Sequence, residues 1–546
     1  MTMSKKPAVA YFCMEYGVSA ELPIYSGGLG VLAGDTMKSA GDRGLPLVGI
    51  GVFWDEGYTQ QVIGGEGHPE DVFEPAPREA LEPLDVSGVE VTVLGKRIPL
   101  RAHKVTRYVS APLYLLEPAE ADDRWITKRL YGGDDEARLA QEIVLGVGGV
   151  RLLRALGEDV SRYHFNEGHA VFAGLELLRA ALAEGQDVDS ALSSVRDQVV
   201  FTTHTPVAAG NETHDLGLMA KVGADVGLDR ELLERIGGSP FSMTVAGLRL
   251  SRRANAVAKL HGETAARMWE HVTDGAPIIA ITNGVHAPTW QDERVREAMR
   301  DEDPEARRDR LWRAHQSMKA ELIEAIRDRC GVELSTKRLL VGFARRATAY
   351  KRADLIFEQP ERLEPLFRDG VLQLVFAGKA HPKDHAGKAL VARLVEASKR
   401  WPSSVVFLEN YGMELGALLT RGCDVWLNNP RRPMEASGTS GMKAAMNGCL
   451  NASILDGWWP EGCVHGETGW QIGDASGDAL AGNVEEQDAR DREALYETMS
   501  KEVVATYEES RSRWVQMMEN SIRMSEWQFS SDRMVEDYFE KLYGAD

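Results

Sequence analysis

The chain is poor in cysteine: five in 546 residues, and no two of them form a C-x-x-C pair. That leaves no structural zinc motif and no even disulfide framework, and it suits a reducing cytoplasm. Each cysteine reads as a small buried apolar residue. No apolar run approaches the ~20 residues that a membrane-spanning helix needs. Residues 1–6 lead straight into an apolar strand, without the hydrophobic stretch of a secretion signal. Positive charge is short as well. There are 63 Lys and Arg against 83 Asp and Glu, a formal net charge of -20 at pH 7. This argues against nucleic acid and anionic membrane as partners and says nothing against a neutral polyol. What is present is a hydrophobic content of 43% and a charged content of 27%, the balance of a soluble globular protein. The length exceeds what one ordinary core can hold, so two large domains are expected.

Short apolar runs at 9–12, 47–53, 199–202, 278–281, 339–343, 372–376, 405–408, 425–427 and 450–455 alternate with helical patterns such as 136–156, 170–183, 242–269 and 386–398. Strand, helix, strand predicts a parallel sheet covered on both faces. The segment 64–118 breaks the pattern. Its pieces at 89–93, 98–101 and 113–116 read as an inserted antiparallel element. Turn residues at 283–288 predict a boundary there. Two doubly wound α/β domains facing each other across a cleft follow, 1–286 and 287–526, with ligands at the carboxyl ends of the strands. The last helix, 531–543, carries Met534, Val535, Tyr538, Phe539 and Leu542 on one face.

The most informative stretch is Glu435-Ala436-Ser437-Gly438-Thr439-Ser440-Gly441-Met442-Lys443. It ends a Pro-rich loop and opens an apolar helical run. Small residues let several backbone N–H groups point at one anion, and a helix N-terminus adds a positive field. A lysine one turn in suits pairing with phosphate, or a Schiff base with a phosphorylated aldehyde cofactor. Elsewhere, Ser26-Gly27-Gly28-Leu29-Gly30 follows the first strand and allows close anion approach. Arg345-Arg346 and Tyr350-Lys351-Arg352 end the strand at 339–343, where buried cations are costly unless an anion meets them. Arg352 reads as the solvated start of a helix.

The 435–448 segment resembles the pyridoxal-phosphate segment of the α-glucan (glycogen, starch, maltodextrin) phosphorylases. The resemblance recurs in order from residue 8 to 457, and it is to the short, bacterial branch, since the long insertions of the animal enzymes are missing. It implies the GT-B architecture, with the C-terminal helix, 527–546, packing back on the first domain. It implies pyridoxal 5'-phosphate carried on Lys443. Cofactor contacts then fall to Thr439, Ser440, Arg345, Tyr411, Trp290 and Gly28. Arg345 stands where the family usually has lysine, and Gly412 where well-known members have arginine. Arg346 and Lys351 match the pair that grips inorganic phosphate. Glu435, Ser437, Gly438, Asn283 and His204 match sugar ligands, with the His204 carbonyl facing the developing charge. Glu167, beside Asn166, stands where the family usually has aspartate. Trp458 and Trp459 read slightly better as core residues than as a sugar platform.

The activity this implies is reversible, retaining phosphorolysis of an α-1,4-glucan to glucose 1-phosphate, with no metal. Two rivals are a nucleotide-sugar glucan synthase on the same fold and a non-catalytic glucan-binding protein. The synthases carry a second glutamate where this chain has Lys443, which favours phosphorolysis. Retention of Lys443, Arg346 and Lys351 argues against a merely binding role. Glucan chain length and regulation are not legible, and oligomeric state stays open to a homodimer.

Overall fold

A computed structural model describes residues 6–206, 211–474 and 483–544. The reading of 1–6 therefore lies, Lys6 apart, outside the described residues. Among those described, no helix is long and apolar enough to cross a membrane. The protein is α/β, with one mixed and one wholly parallel sheet as its main frames. It divides into two compact units: Met1–Tyr58 with Phe73–Asn283 and Ser531–Asp546, and Thr59–Val72 with Gly284–Ser530.

The first unit is built on a 10-stranded sheet. Its order is Ile278–Ala280, Arg253–Ala256, Val199–Thr202, Arg162–Asn166, Val9–Phe12, Leu47–Val52, Leu113–Pro118, Lys96–Val105 and Leu81–Pro83, with Glu90–Val93 also on Lys96–Val105. Neighbours are parallel up to Leu113–Pro118 and antiparallel beyond it. Val9–Phe12, Leu47–Val52 and Val199–Thr202 are buried at every position. Strands covered on both faces favour apolar residues at nearly every position, which is why they appear in the sequence as near-continuous runs. The chain first lays strands outward from Val9–Phe12 in one direction and then returns to its other side with Arg162–Asn166. That reversal opens a crevice at the carboxyl ends of these two strands.

One expectation fails here. The stretch 242–269 is not one helix but helix Met243–Arg249, strand Arg253–Ala256 and helix Lys259–Met268. Arg-Ala-Asn-Ala has no β-branched residue and little intrinsic strand preference. Its place comes from pairing with Val199–Thr202 on one side and Ile278–Ala280 on the other. The 113–116 piece also differs: it pairs antiparallel with Lys96–Val105 yet parallel with Leu47–Val52, so it is part of the main sheet. The C-terminal turns, Ser531–Asp537 and Tyr538–Leu542, put Met534, Val535, Tyr538 and Leu542 into the first unit's core. Tyr543 hydroxyl lies 2.7 Å from His164 Nδ1.

The second unit holds a six-stranded, all-parallel sheet: Val405–Leu408, Leu372–Ala377, Leu339–Ala344, Val425–Asn428, Leu450–Ile454 and Gly469–Ile472. Counted along the chain from Leu339–Ala344, the order is 3-2-1-4-5-6. The direction reverses between Leu339–Ala344 and Val425–Asn428, so a second crevice opens past Ala344 and Asn428. The 27-residue helix Pro304–Cys330 braces the opposite, amino ends of these two strands. Asp303 caps its first turn, Pro304 presets φ, and Gly331 closes it at φ +68°. Its His315 and Lys319 reach Asp424 at 2.8 and 2.5 Å, just before the strand Val425–Asn428. The hairpin Gln60–Ile63 and Pro69–Val72 also belongs to this unit. Gln61 brackets Ala380 by accepting its N–H at 2.9 Å and donating to its carbonyl at 3.2 Å. Trp458 and Trp459 are fully buried, 5.1 Å apart, with Trp458 edge-on to Phe529 at 4.6 Å. They are core residues.

Candidate active site

At the reversal point of the second unit, Arg345 is the first residue after its strand. It is buried, bonds Asn428 Oδ1 across the crevice, and its Nη1 lies 2.5 Å from Glu435 Oε2. Lys351, also buried, sets its ammonium 3.1 and 3.3 Å from the same carboxylate. Two buried cations thus share one anion. Burial pushes the Lys351 amine down to about 7, and the Arg345 charge pushes it the same way. Burial acts to raise the Glu435 carboxyl, but Arg345 and Lys351 outweigh it and hold it at about 2. Arg346 is exposed, and among the described residues no carboxylate lies within ion-pair distance of it. Arg346 is therefore the cation of this crevice that stands open to an anion from outside.

Arg352 corrects an expectation. It is not a solvated helix start but only 4% exposed. It sits at φ +49°, bonds the carbonyls of Asn429 and Pro430 at 2.9 and 2.8 Å, and pairs with Asp488 and Asp491 at 2.7 and 2.8 Å. Sequence reading missed this because both aspartates lie more than a hundred residues downstream.

The turn after Glu435 leads into the helix Thr439–Met446. Gly438 takes φ +88° at its N-cap, a conformation that costs glycine little. A Cβ at Gly438 would stand 3.5 Å from Arg345 Nη2, so a guanidinium adjoins the positive end of this helix. Two like fields at one place favour an anion between them. Ser437 Oγ is buried there and has no hydrogen-bond partner among the described residues. Thr439 is the first helical residue, and Ser440 Oγ accepts from Trp426 Nε1 at 3.2 Å. Lys443, one turn in, is buried with its ammonium 3.5 Å from the centre of the Trp290 ring. Asn447 fixes both partners, donating to the carbonyls of Lys443 and Trp290 at 2.8 and 3.0 Å. Tyr411 lies beside Gly416, close enough that its hydroxyl would be 3.2 Å from a Cβ there.

In the first unit, Gly28 opens the helix Gly28–Asp42 with open space where a Cβ would be. The preceding turn is held by a residue the sequence reading did not weigh. Glu15, 2% exposed, accepts from the N–H groups of Ser26 and Gly27 at 2.6 and 3.2 Å and from Tyr131 hydroxyl at 2.7 Å. His204 follows its strand, donates its N–H to Glu167 Oε1 at 2.6 Å, and sets Nε2 2.7 Å from Asn166 Oδ1. Burial, with His261 adding repulsion, lowers its imidazole to about 3, so the ring is neutral. Asn283 is buried, and among the described residues its Oδ1 has no hydrogen-bond partner.

A parallel α/β unit with cations at its reversal point, and a lysine helix beside them, defines an α/β protein whose crevice suits an anionic ligand. Comparison with known sequences narrows this. The carbohydrate phosphorylase family profile matches residues 264–460. The maltodextrin phosphorylase of Thermococcus litoralis is 40% identical over 98% of this chain and 70% of its own length. The glycogen phosphorylase of Mycobacterium tuberculosis is 38% identical, over 98% and 70%. That of Aquifex aeolicus is 36% identical, over 99% and 86%. The chain belongs to the carbohydrate phosphorylase family.

Proposed function

We propose that the protein is an α-1,4-glucan phosphorylase of the short, bacterial type: glucan and inorganic phosphate give glucose 1-phosphate and a shortened glucan, reversibly and with retention. The carrying observation is that Arg345 and Lys351, both buried, share the single carboxylate of Glu435 beside the lysine helix. We read the chain as a GT-B protein with Rossmann-like domains of residues 1–286 and 287–526 and with 527–546 returning to the first, a division that the two compact units follow except at 59–72, 284–286 and 527–530. The cysteine usage supports a cytoplasmic location.

Pyridoxal phosphate suits the residues at the lysine helix. An amine on an apolar ring face, N-terminal amides, a hydroxyl at Thr439 and a nearby guanidinium are the donor set of a phosphorylated aldehyde. Lys443 would hold it, with Thr439, Ser440, Arg345, Tyr411 and Trp290 about it; the resemblance assigns Gly28 of the first unit to phosphate as well. When bound, the group supplies a phosphate that can exchange a proton with the substrate phosphate. Arg346 and Lys351 bind the substrate phosphate and offset its charge as it protonates the leaving glycosidic oxygen. Lys351, with its amine near 7, can donate a hydrogen bond or yield its proton at neutral pH. Glu435, Ser437, Gly438 and Asn283 orient the sugar hydroxyls. The His204 backbone carbonyl faces the positive charge developing on the glucosyl ring. Its neutral imidazole, tied to Asn166, is a brace rather than an acid.

Purified protein should release glucose 1-phosphate from maltodextrin only when phosphate is present. Borohydride should fix about one cofactor per chain to the Lys443 peptide. Glucan extension from nucleotide-glucose without phosphorolysis would hand the case to the synthase reading.

A further inference from the structure

Asp456 stands between the strand Leu450–Ile454 and the buried Trp458, and nothing so far has used it. Its side chain is fully buried. One oxygen accepts the Glu435 N–H at 2.9 Å, and the other accepts the Gly457 N–H at 2.8 Å. Trp458 N–H completes the clasp by donating to the Ser437 carbonyl at 2.9 Å. Gly457, at φ +58°, is pressed so close that a Cβ would fall 2.3 Å from that carbonyl. The turns 435–438 and 456–458 are therefore locked together, and Asp456 is the ionisable part of the lock.

We propose that Asp456 is a positioning residue of the phosphorolysis site: through the Glu435 amide it holds the 435–438 turn, and with it the Glu435 carboxylate, where Arg345 and Lys351 converge. The inference rests on the functional reading above. The physical reason is that a carboxylate offers an acceptor to each of two N–H groups, whereas its protonated form keeps only one good acceptor. The groups that face it are few. Burial pushes the Asp456 carboxyl up to about 7, the Glu435 carboxylate adds to the rise, and the Glu435 and Gly457 N–H groups and the Arg432 guanidinium oppose it. Tyr350 lies in the same field but stays neutral, since burial raises its phenol. The lock is fully charged above neutrality and weakens below it.

The test is Asp456→Asn in the full-length holoenzyme. Asparagine keeps one acceptor but turns an N–H₂ toward the other donor. Support partners of this kind are worth roughly 10–100-fold, and we expect that loss in kcat/KM for phosphate at pH 8. The ratio of wild type to variant, in which the ionisation of phosphate itself cancels, should shrink about tenfold between pH 8 and pH 6 as the wild-type carboxylate takes up its proton. Protection from thermal unfolding by inorganic phosphate should show the same trend without turnover. Should Asp456→Asn not fold, Asp456→Ser, with one short acceptor, is read the same way. A ratio that does not change with pH, or a variant that equals wild type in phosphate use, overturns the proposal alone. A wild type that neither gains stability from phosphate nor releases glucose 1-phosphate overturns the functional reading, and the proposal with it.

Discussion

Lys351 and Arg352 are adjacent in sequence, both buried, and opposite in kind. Around Lys351 the charges are loosely matched: Arg345 and Lys351 share the Glu435 carboxylate, Asp456 sits behind its amide, and exposed Arg346 has no carboxylate within ion-pair distance among the described residues. Around Arg352 they are closely matched: Arg352 and Arg431 meet Asp488 and Asp491, and two backbone carbonyls accept two further guanidinium N–H groups of Arg352. A buried cation with too few partners is stable only if something else brings the missing charge, so the first group reads as a ligand seat. A matched set needs nothing more and reads as scaffold.

The comparison can be broken by mutation. Arg352→Ala leaves Asp488 and Asp491 short of their partner in a largely buried place and should cost about 3–5 kcal/mol of stability. Denaturant midpoints measure this, and the KM for phosphate should stay within about twofold while the variant is folded. A large loss of phosphate use with unchanged stability would reverse the roles assigned to the two neighbours. Arg346→Ala should behave in the opposite way. Removing one preorganised charge from the seat should cost about 3–4 kcal/mol in kcat/KM, or two to three decades, with stability almost unmoved because the side chain is exposed.

Acid sharpens the same contrast. The Glu435 carboxyl lies at about 2 in the folded protein against an ordinary 4.5, so it stabilises the fold above 4.5 and loses that contribution as pH falls toward 2. The folded state then binds fewer protons than the unfolded one, and stability must drop on acidification. Between pH 5 and pH 3 this one group should account for about 2 kcal/mol. Urea midpoints of wild type and Glu435→Gln should therefore converge across that range, and parallel curves would remove Glu435 from its place between the two cations. The smallest effect belongs to a surface pair. Arg230 and Glu234, 2.9 Å apart and largely exposed, should contribute below about 0.5 kcal/mol, which Arg230→Ala would show.

Much of the frame is legible along the chain because parallel strands buried on both faces are largely apolar, with buried polar positions such as Gln373, Asn451 and Ser453 as exceptions. Val9–Phe12, Leu47–Val52 and Leu339–Ala344 need no partner to be recognised. The lysine turn is legible for a similar reason: Ser437 to Lys443 is contiguous, so its glycines, helix start and amine appear together. Arg253–Ala256 is not legible, since only its two neighbours make it a strand. The hairpin at Gln60–Val72 joins the second unit through Gln61 contacts more than three hundred residues away.

What the sequence determined alone is thus the set of buried runs, the acidic balance of the chain and the identity of the groups that could meet phosphate. Only the tertiary structure decided which charge meets which: Glu435 with Arg345 and Lys351, Asp488 and Asp491 with Arg352, Asp456 with the Glu435 amide. Apolar burial is written residue by residue as a local periodicity. Coulomb and hydrogen-bond energies depend on distance and on removal from water, and the fold sets both by bringing remote loops and a helix together beside the carboxyl ends of the parallel strands.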